Sequence, residues 1–464
     1  MALVVGKPAC ATLILTIWKP WIPYGSGRLG NKAAQMITNI RIKRFKSVYD
    51  ADIELGKVNL FIGGNGAGKS NVLEAIGLAS ASLSRGIRDQ DFQQKGVRLT
   101  PPAHMKSAFK GRLPMTLGLE LEINRRSTYS MSLTANNNDT NLSYHAERID
   151  LNKRKVSGRS GRGVQAFGRT VPLADRYRSL WDHVRLLEDI PTDLRADLAE
   201  LESYSIYAPQ TEFLRGVRQG PIENPPVGLH GEGLPAAVDT LIRQAHERHR
   251  DEKTKIRLKT DDAKVAHRAL QLIWHPGWAF SASVGKADFR TKISDSGSEV
   301  TETLHLLDKH MHRTRNRLSA YDSSEGTLYL AFIAVLMAHK ESPKIFALDN
   351  VDNALNPRLT RLLLEELIAL TCSERLPKQT VGPSQVFFTS HNPTSLDAFD
   401  LFDDDQRVFV VKRSEKGHTV IDRLKPHDDW SREDWERAMG GRNLSSLWIE
   451  NQISGALGEQ LDDF

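Results

Sequence analysis

The octapeptide Gly63-Gly64-Asn65-Gly66-Ala67-Gly68-Lys69-Ser70 fits the pattern G-x-x-x-x-G-K-[ST]. It constrains the fold because that pattern works only between a strand and a helix. Lys57-Val58-Asn59-Leu60-Phe61-Ile62 precedes it as a short apolar strand. Val72, Leu73, Ile76 and Ala79 follow it at helical spacing. The glycines let backbone N–H groups converge on phosphate oxygens, and a helix N-terminus adds the positive end of its dipole. In such a loop Lys69 reaches the β- and γ-phosphates, and the Ser70 hydroxyl sits on Mg²⁺. The alternative reading is a glycine-rich turn with no ligand.

The chain has 464 residues, enough for two lobes, and a net charge of +6, which suits an anionic partner without requiring one. Cys10 and Cys372 match no metal spacing and suit a reducing compartment. No apolar run approaches the ~18 residues of a membrane span. A cytoplasmic protein is expected. ATLILTIW, after Lys7, imitates a secretory signal, but patterned sequence begins at Met36. The expectation is that Met36 is the native start and that residues 1–35 are an upstream extension, disordered or loosely attached.

Residues 36–149 read as a first lobe. Ile40 and Ile42, then Ile53 and Leu55, alternate with polar residues ahead of the P-loop strand. Three antiparallel strands follow over 115–147, with a turn at Asn136-Asn137-Asn138-Asp139. Residues 150–315 read as a basic glycine- and serine-rich loop over 150–170 and a helical insertion without heptads. Residues 316–425 read as a second lobe. Its elements are a helix from Thr327 to His339, buried strands in PKIFALD and from Gln385 to Thr389, and a hairpin about Lys416-Gly417. A helix opens at Asn356-Pro357, with Leu359, Leu362, Leu363, Leu367 and Leu370 as its apolar face. Residues 426–464 form a tail in which Trp430, Trp435, Leu444, Leu447 and Trp448 either dock a partner or pack on the lobe.

Three features of the second lobe add chemistry. Asp349 ends an apolar strand, where a carboxylate can hold the Mg²⁺ water shell opposite Ser70. Ser324 and Gly326 stand at a helix start, where N–H groups bind a phosphate or serve as a plain cap. His391 follows a buried strand, placed either to meet a γ-phosphate and attacking water or to act structurally.

The stretch from Ile37 to Ile76, with SSEGTL, DNVDNALNP and TSHNP in that order, closely resembles the ABC-type chromosomal ATPases of the RecF, SMC and OLD group. These are often labelled AAA-family ATPases. The resemblance covers about a third of the chain. It implies an α/β fold, an ABC-type P-loop ATPase head with a mixed sheet and an antiparallel β-lobe, here split by the helical insertion. It implies ATP and Mg²⁺ as cofactors. Two heads would sandwich two nucleotides in a homodimer or larger assembly. Gly63 to Ser70 with Asn71, Asp349 and His391 would act in cis, and Ser324 and Gly326 in trans. A glutamine between the lobes is expected, with Gln90, Gln93 and Gln94 as candidates.

One departure matters. DNVDNALNP resembles the family's Walker B motif, with Asp349 as its aspartate; in the family the next residue is usually glutamate, which orients the attacking water, and here it is Asn350. Loss of general-base help typically costs 10²–10⁴-fold in rate, on the order of magnitude seen for such groups. Either hydrolysis is slow and ATP is a durable clamp, or Asp352 substitutes. The compact size and this variant are similar to the ATPases of Septu and retron-associated defence systems. The expected role is DNA repair, DNA maintenance or anti-phage defence, with a nuclease on a separate chain. A non-hydrolysing nucleic-acid clamp is the alternative. A transporter motor is disfavoured by the short signature and the large insertion. Lys153, Arg154, Lys155, Arg159 and Arg162 either track a phosphate backbone or form a solvated loop. Arg313, Arg315 and Arg317 either reach phosphate or lie on an exposed helix face.

Overall fold

The computed structural model describes residues 36–453 except 85, 111–112, 136–138, 161–162, 172–174, 188, 251–256 and 288–301. The expectations for residues 1–35, for most of the turn at 136–139 and for Arg162 lie outside the described residues. The chain forms two units. One holds residues 209–222 and 226–335. The other holds the described residues of 36–208, 223–225 and 336–453.

The larger unit is built on two sheets. The eight-stranded sheet is antiparallel and begins with β1 (Ile37–Phe45) and β2 (Val48–Glu54), with β1 also pairing Thr116–Ile123. Alternation makes one face: Ile40 opposes Ile53, and Ile40, Ile42 and Ile53 are buried. The six-stranded sheet runs Ile206–Tyr207, Ile345–Leu348, Gln385–Ser390, β3 (Val58–Ile62), Gln406–Arg413, Thr419–Leu424. Its first five strands are parallel and the last is antiparallel. Every residue of β3, Ile345–Leu348 and Gln385–Ser390 is buried, as strands covered on both faces must be. Helix α1 (Lys69–Ser84) leaves β3 through the glycine loop and is buried along nearly its whole length, touching strands of both sheets. It carries little amphipathic signal because it has no solvent face. The expected α/β class with an antiparallel β-lobe is therefore present.

Residues 150–170 are not a loop. Strands Arg154–Ser160, Gly163–Ala166 and Arg169–Val171 complete the eight-stranded sheet. A two-residue turn precedes the first of them and another joins the last two: Asn152 and Lys153 have φ of 51° and 63°, Phe167 and Gly168 of 49° and 79°. Positive φ at both central positions is the hairpin turn that matches strand twist. Glycine and serine density concealed an inner face of Val164 and Ala166, which are buried. In the helix Pro357–Cys372, capped by Asn356 Oδ1 accepting from the Leu359 N–H at 3.0 Å, the buried face is Leu363, Leu364, Leu367 and Ile368. Leu359, Leu362 and Leu370 are half-buried, so the expected face is rotated.

The other unit packs helices Leu234–Ala245 and Asp261–Leu270 together, with a three-stranded antiparallel sheet of Ala279–Lys286, Glu302–Asp308 and Arg317–Ser319. The inserted segment is thus helical with strands that periodicity did not reveal. Arg313, Arg315 and Arg317 are exposed on a turn and a strand, not a helix. Helix Glu325–Ala338 begins in this unit and ends in the larger one.

Candidate functional site

The glycine loop is held from behind by the Gln406–Arg413 and Thr419–Leu424 hairpin. Arg413 Nε donates to the Gly66 carbonyl at 2.9 Å, and Thr419 Oγ1 donates to the Ala67 carbonyl at 2.8 Å. A Cβ on Gly63 would stand 2.0 Å from the Val411 carbonyl oxygen. One on Gly68, at φ +106°, would stand 2.2 Å from Thr419 Oγ1. Both positions therefore require glycine, one for close approach and one also for its left-handed backbone. Asn65 and Gly66 are exposed at the loop tip, and Gly64 is half-buried. Asn71, the third residue of α1, donates to Ser47 Oγ at 2.6 Å and ties the helix start to the turn after β1.

Lys69 is buried. Its Nζ donates to the carbonyls of Gly63 at 2.9 Å and Gly64 at 3.0 Å. Burial lowers its pKa, while Asp349 and Asp352 raise it. The ammonium thus sits in the field of both carboxylates, beside the loop's own peptide groups.

Asp349 stands at the end of Ile345–Leu348. Ser70 Oγ donates to its two oxygens at 3.0 and 3.1 Å, and Thr389 Oγ1 donates to Oδ1 at 2.5 Å. The Asn350 N–H donates in turn to Thr389 Oγ1 at 2.8 Å. Parallel strands with matched carboxyl ends bring Ser70, Asp349 and Thr389 to one edge, the expected place for a ligand in such sheets. Thr389 was not among the sequence candidates. Its only signal was its place at the end of a buried strand.

Asn350 is exposed, with φ +56°, a region asparagine tolerates far better than glutamate. Asp352 is buried. Its Oδ2 lies 3.2 Å from His391 Nδ1, and its Oδ1 is buried with no hydrogen-bond partner. The His391 side chain is 57% exposed, so the pair joins a buried carboxylate to an open imidazole.

Ser324 and Gly326 lie in the other unit, at the first turn of helix Glu325–Ala338, where the Ser324 carbonyl accepts from the Thr327 N–H at 3.1 Å. Trp278 Nε1 donates to Thr327 Oγ1 at 3.0 Å and braces that turn. Gln90, Gln93 and Gln94 sit on helix Asp89–Gln94, which packs on α1. Gln210 follows strand Ile206–Tyr207 in the chain and was not among the sequence candidates. Arg159, expected among the phosphate-tracking cations, is buried, with Nε 3.2 Å from Glu147 Oε2. Lys153, Arg154 and Lys155 are exposed. In the tail, Leu444 and Trp448 are buried and helix Leu444–Ile449 packs on the turn Pro393–Ala398 after His391. Ser445 Oγ donates to Asp397 Oδ2 there at 2.7 Å.

A Mg²⁺ ion held by one carboxylate, one hydroxyl and substrate phosphates needs no protein cage. Ser70 and Asp349, already in contact, fit that donor set. Among the described residues no group of three or more His, Cys, Asp or Glu forms another metal site, and no helix is long and apolar enough to cross a membrane.

The family model described as "AAA domain, putative AbiEii toxin, Type IV TA system" matches residues 58–397. A stretch of 64 residues is 42% identical to the DNA double-strand break repair Rad50 ATPase of Thermoplasma volcanium, covering 14% of this chain and 7% of that protein. Two solved structures are also similar. One is the SMC head domain from Thermotoga maritima, at 15% identity and TM-score 0.40 over 84% of this chain and 99% of that one. The other is the Smc head domain of Pyrococcus furiosus bound to the C-terminal domain of ScpA, at 12% identity and TM-score 0.45 over 90% and 100%.

Proposed function

The chain belongs to the AAA-domain family whose model spans residues 58–397, and from that premise we propose an ATPase of RecF/SMC/OLD type that binds ATP with Mg²⁺ and hydrolyses it slowly. The observation that carries this reading is the meeting of Lys69, Ser70 and Asp349 at one end of the parallel sheet, with Ser70 bonded to Asp349 at 3.0 and 3.1 Å. The backbone of Gly63 to Ser70 and the Lys69 ammonium bind the β- and γ-phosphates. Ser70 and Asp349 hold Mg²⁺, which neutralises charge on the phosphate oxygens. Asn350 offers an amide where a carboxylate would accept the water's proton, which is the support for slow turnover.

Two heads sandwiching two nucleotides form the active dimer, with Ser324 and Gly326 facing the partner's nucleotide. The biological setting is DNA repair, DNA maintenance or anti-phage defence in the cytoplasm. ATP occupancy controls a separate nuclease chain, and nucleic acid is met through exposed basic residues. The support for a nucleic-acid setting is the short Rad50 likeness. Asn350 also favours a second reading, a clamp that holds ATP without hydrolysing it.

Steady-state turnover of the wild type, Asn350→Glu and Asp352→Ala decides between them. Slow hydrolysis raised about tenfold or more by Asn350→Glu is expected, net of the roughly 1–2 kcal/mol of strain at a left-handed position. Turnover of many per second that survives Asp352→Ala contradicts both readings.

A further inference from the structure

In the smaller unit, every residue from Lys309 to Arg315 is exposed, on the turn between strands Glu302–Asp308 and Arg317–Ser319. The backbone orders this turn. The Asp308 N–H donates to the Asn316 carbonyl at 2.8 Å and closes its base, and the Arg315 N–H donates to the His312 carbonyl at 2.8 Å within it. The Lys309 N–H donates to the Trp278 carbonyl at 3.0 Å, which ties the turn to the start of strand Ala279–Lys286. A surface ordered in advance loses less freedom when it binds.

The turn carries Lys309, Arg313 and Arg315, with no carboxylate between them. Among the described residues none of the three has an ion-pair partner. Arg41, Arg169, Arg432 and Arg442 are also at the surface, and each holds a carboxylate oxygen at 2.6–2.9 Å. Like charges gathered on one short turn and left uncompensated favour a polyanion. Arg317, at the foot of the turn, is engaged elsewhere: its guanidinium lies against Gly285, where a Cβ would stand 2.7 Å from Nη2.

Cations alone serve a duplex as well as a single strand. Phe280 makes the difference. The pairing of its strand with Glu302–Asp308 shifts register between Ala279 and Ser281, so Phe280 falls outside the ladder, next to the Ala279–Asp308 pair at the base of the turn. Phe280 is 37% exposed. An open ring beside unpaired cations gives a base a stacking face and its phosphates a positive track. A duplex keeps its bases stacked on one another and has no free face to offer that ring.

We propose that Phe280 with Lys309, Arg313 and Arg315 forms a binding surface for single-stranded nucleic acid. Phe280 stacks on a base, and the three cations follow the phosphates on either side of it. This rests on the nucleic-acid setting proposed above, and gives it a surface and a strand state.

The test uses the full chain with ATP and Mg²⁺. Labelled oligothymidylate and oligouridylate of about 15 nucleotides, and a duplex of equal length, are titrated across a salt series. Wild type should bind at least one single strand more tightly than the duplex, and the tighter of the two homopolymers tells DNA from RNA. Joint replacement of Lys309, Arg313 and Arg315 by alanine should lower the single-strand salt slope by about 2, at ~0.7 per phosphate contact. Phe280→Leu should weaken single-strand binding about fivefold or more at unchanged slope, and Phe280→Trp should keep wild-type affinity or exceed it. All four side chains are exposed, so the variants test binding and not folding. A triple variant with unchanged slope and affinity overturns the inference and leaves nucleic acid to other basic residues. Duplex bound as tightly as either single strand, or Phe280→Leu binding like wild type, overturns the single-strand assignment. Wild type that binds none of the probes overturns this inference together with the nucleic-acid part of the proposed function, and leaves ATP binding untouched.

Discussion

Ser70 and Asp349 stand 279 positions apart in the chain, yet the Ser70 hydroxyl donates to both carboxylate oxygens of Asp349, at 3.0 and 3.1 Å. Thr389 supplies a further donor to the same carboxylate at 2.5 Å. Two hydroxyls and a carboxylate from three distant stretches of chain are therefore brought together by the fold itself.

Removing that carboxylate should separate metal-dependent from metal-independent binding. Asp349→Ala is expected to keep ATP affinity in excess chelator within about twofold, and to lose at least tenfold of the increment that Mg²⁺ gives, roughly 1.4 kcal/mol or more. Calorimetric titration with and without Mg²⁺ measures both. An unchanged Mg²⁺ increment would remove Asp349 from the metal site.

The glycine loop, its strand and its helix were legible because their signals are local: glycine spacing, an apolar run, and apolar residues at helical intervals. Ile345–Leu348 and Gln385–Ser390 were legible because strands buried on both faces are continuously apolar. Thr389 was not, since its contact with Asp349 depends on register between strands distant in sequence. The hairpins over 154–171 were hidden because asparagine and glycine at positive φ read as loop when their strands are short and basic. Arg159 was taken for a surface cation because nothing near it in sequence announces Glu147 as its partner.

The β-lobe encloses Glu147, which accepts from Tyr129 OH at 2.8 Å and from the Leu180 N–H at 2.9 Å. Burial pushes its carboxyl up to about 7 from an ordinary 4.5, with the Arg159 guanidinium opposing. The folded state then binds more protons than the unfolded between those values. The stability this group lends is complete below about 4.5 and is lost as pH rises through about 7. Denaturant melts of wild type against Glu147→Gln should show wild type losing on the order of 3 kcal/mol relative to the variant between about pH 5 and pH 8. A difference of opposite sign would contradict the assignment.

Basic residues of this lobe should divide by burial. Alanine at Lys153, Arg154 and Lys155 together should weaken any duplex binding and reduce its salt slope by roughly 2–3. Arg159→Ala should leave the slope unchanged and cost about 3–5 kcal/mol of stability, as an uncompensated buried Glu147 would. Filter binding across a salt series, paired with melts, separates the two. A reduced slope with normal stability for Arg159→Ala would mean that it contacts nucleic acid after all.

The central claim is triphosphate binding by the Gly63–Ser70 loop and the Lys69 ammonium, now held by the carbonyls of Gly63 and Gly64. Equilibrium titration of ATP at millimolar Mg²⁺ against wild type and Lys69→Ala tests it most directly. The account predicts saturable wild-type binding and a loss of about 2 kcal/mol or more, some thirtyfold in Kd, in the variant, the scale of losing a charged hydrogen-bonding partner. No ATP affinity in the wild type, or equal affinity in the two proteins, would contradict it.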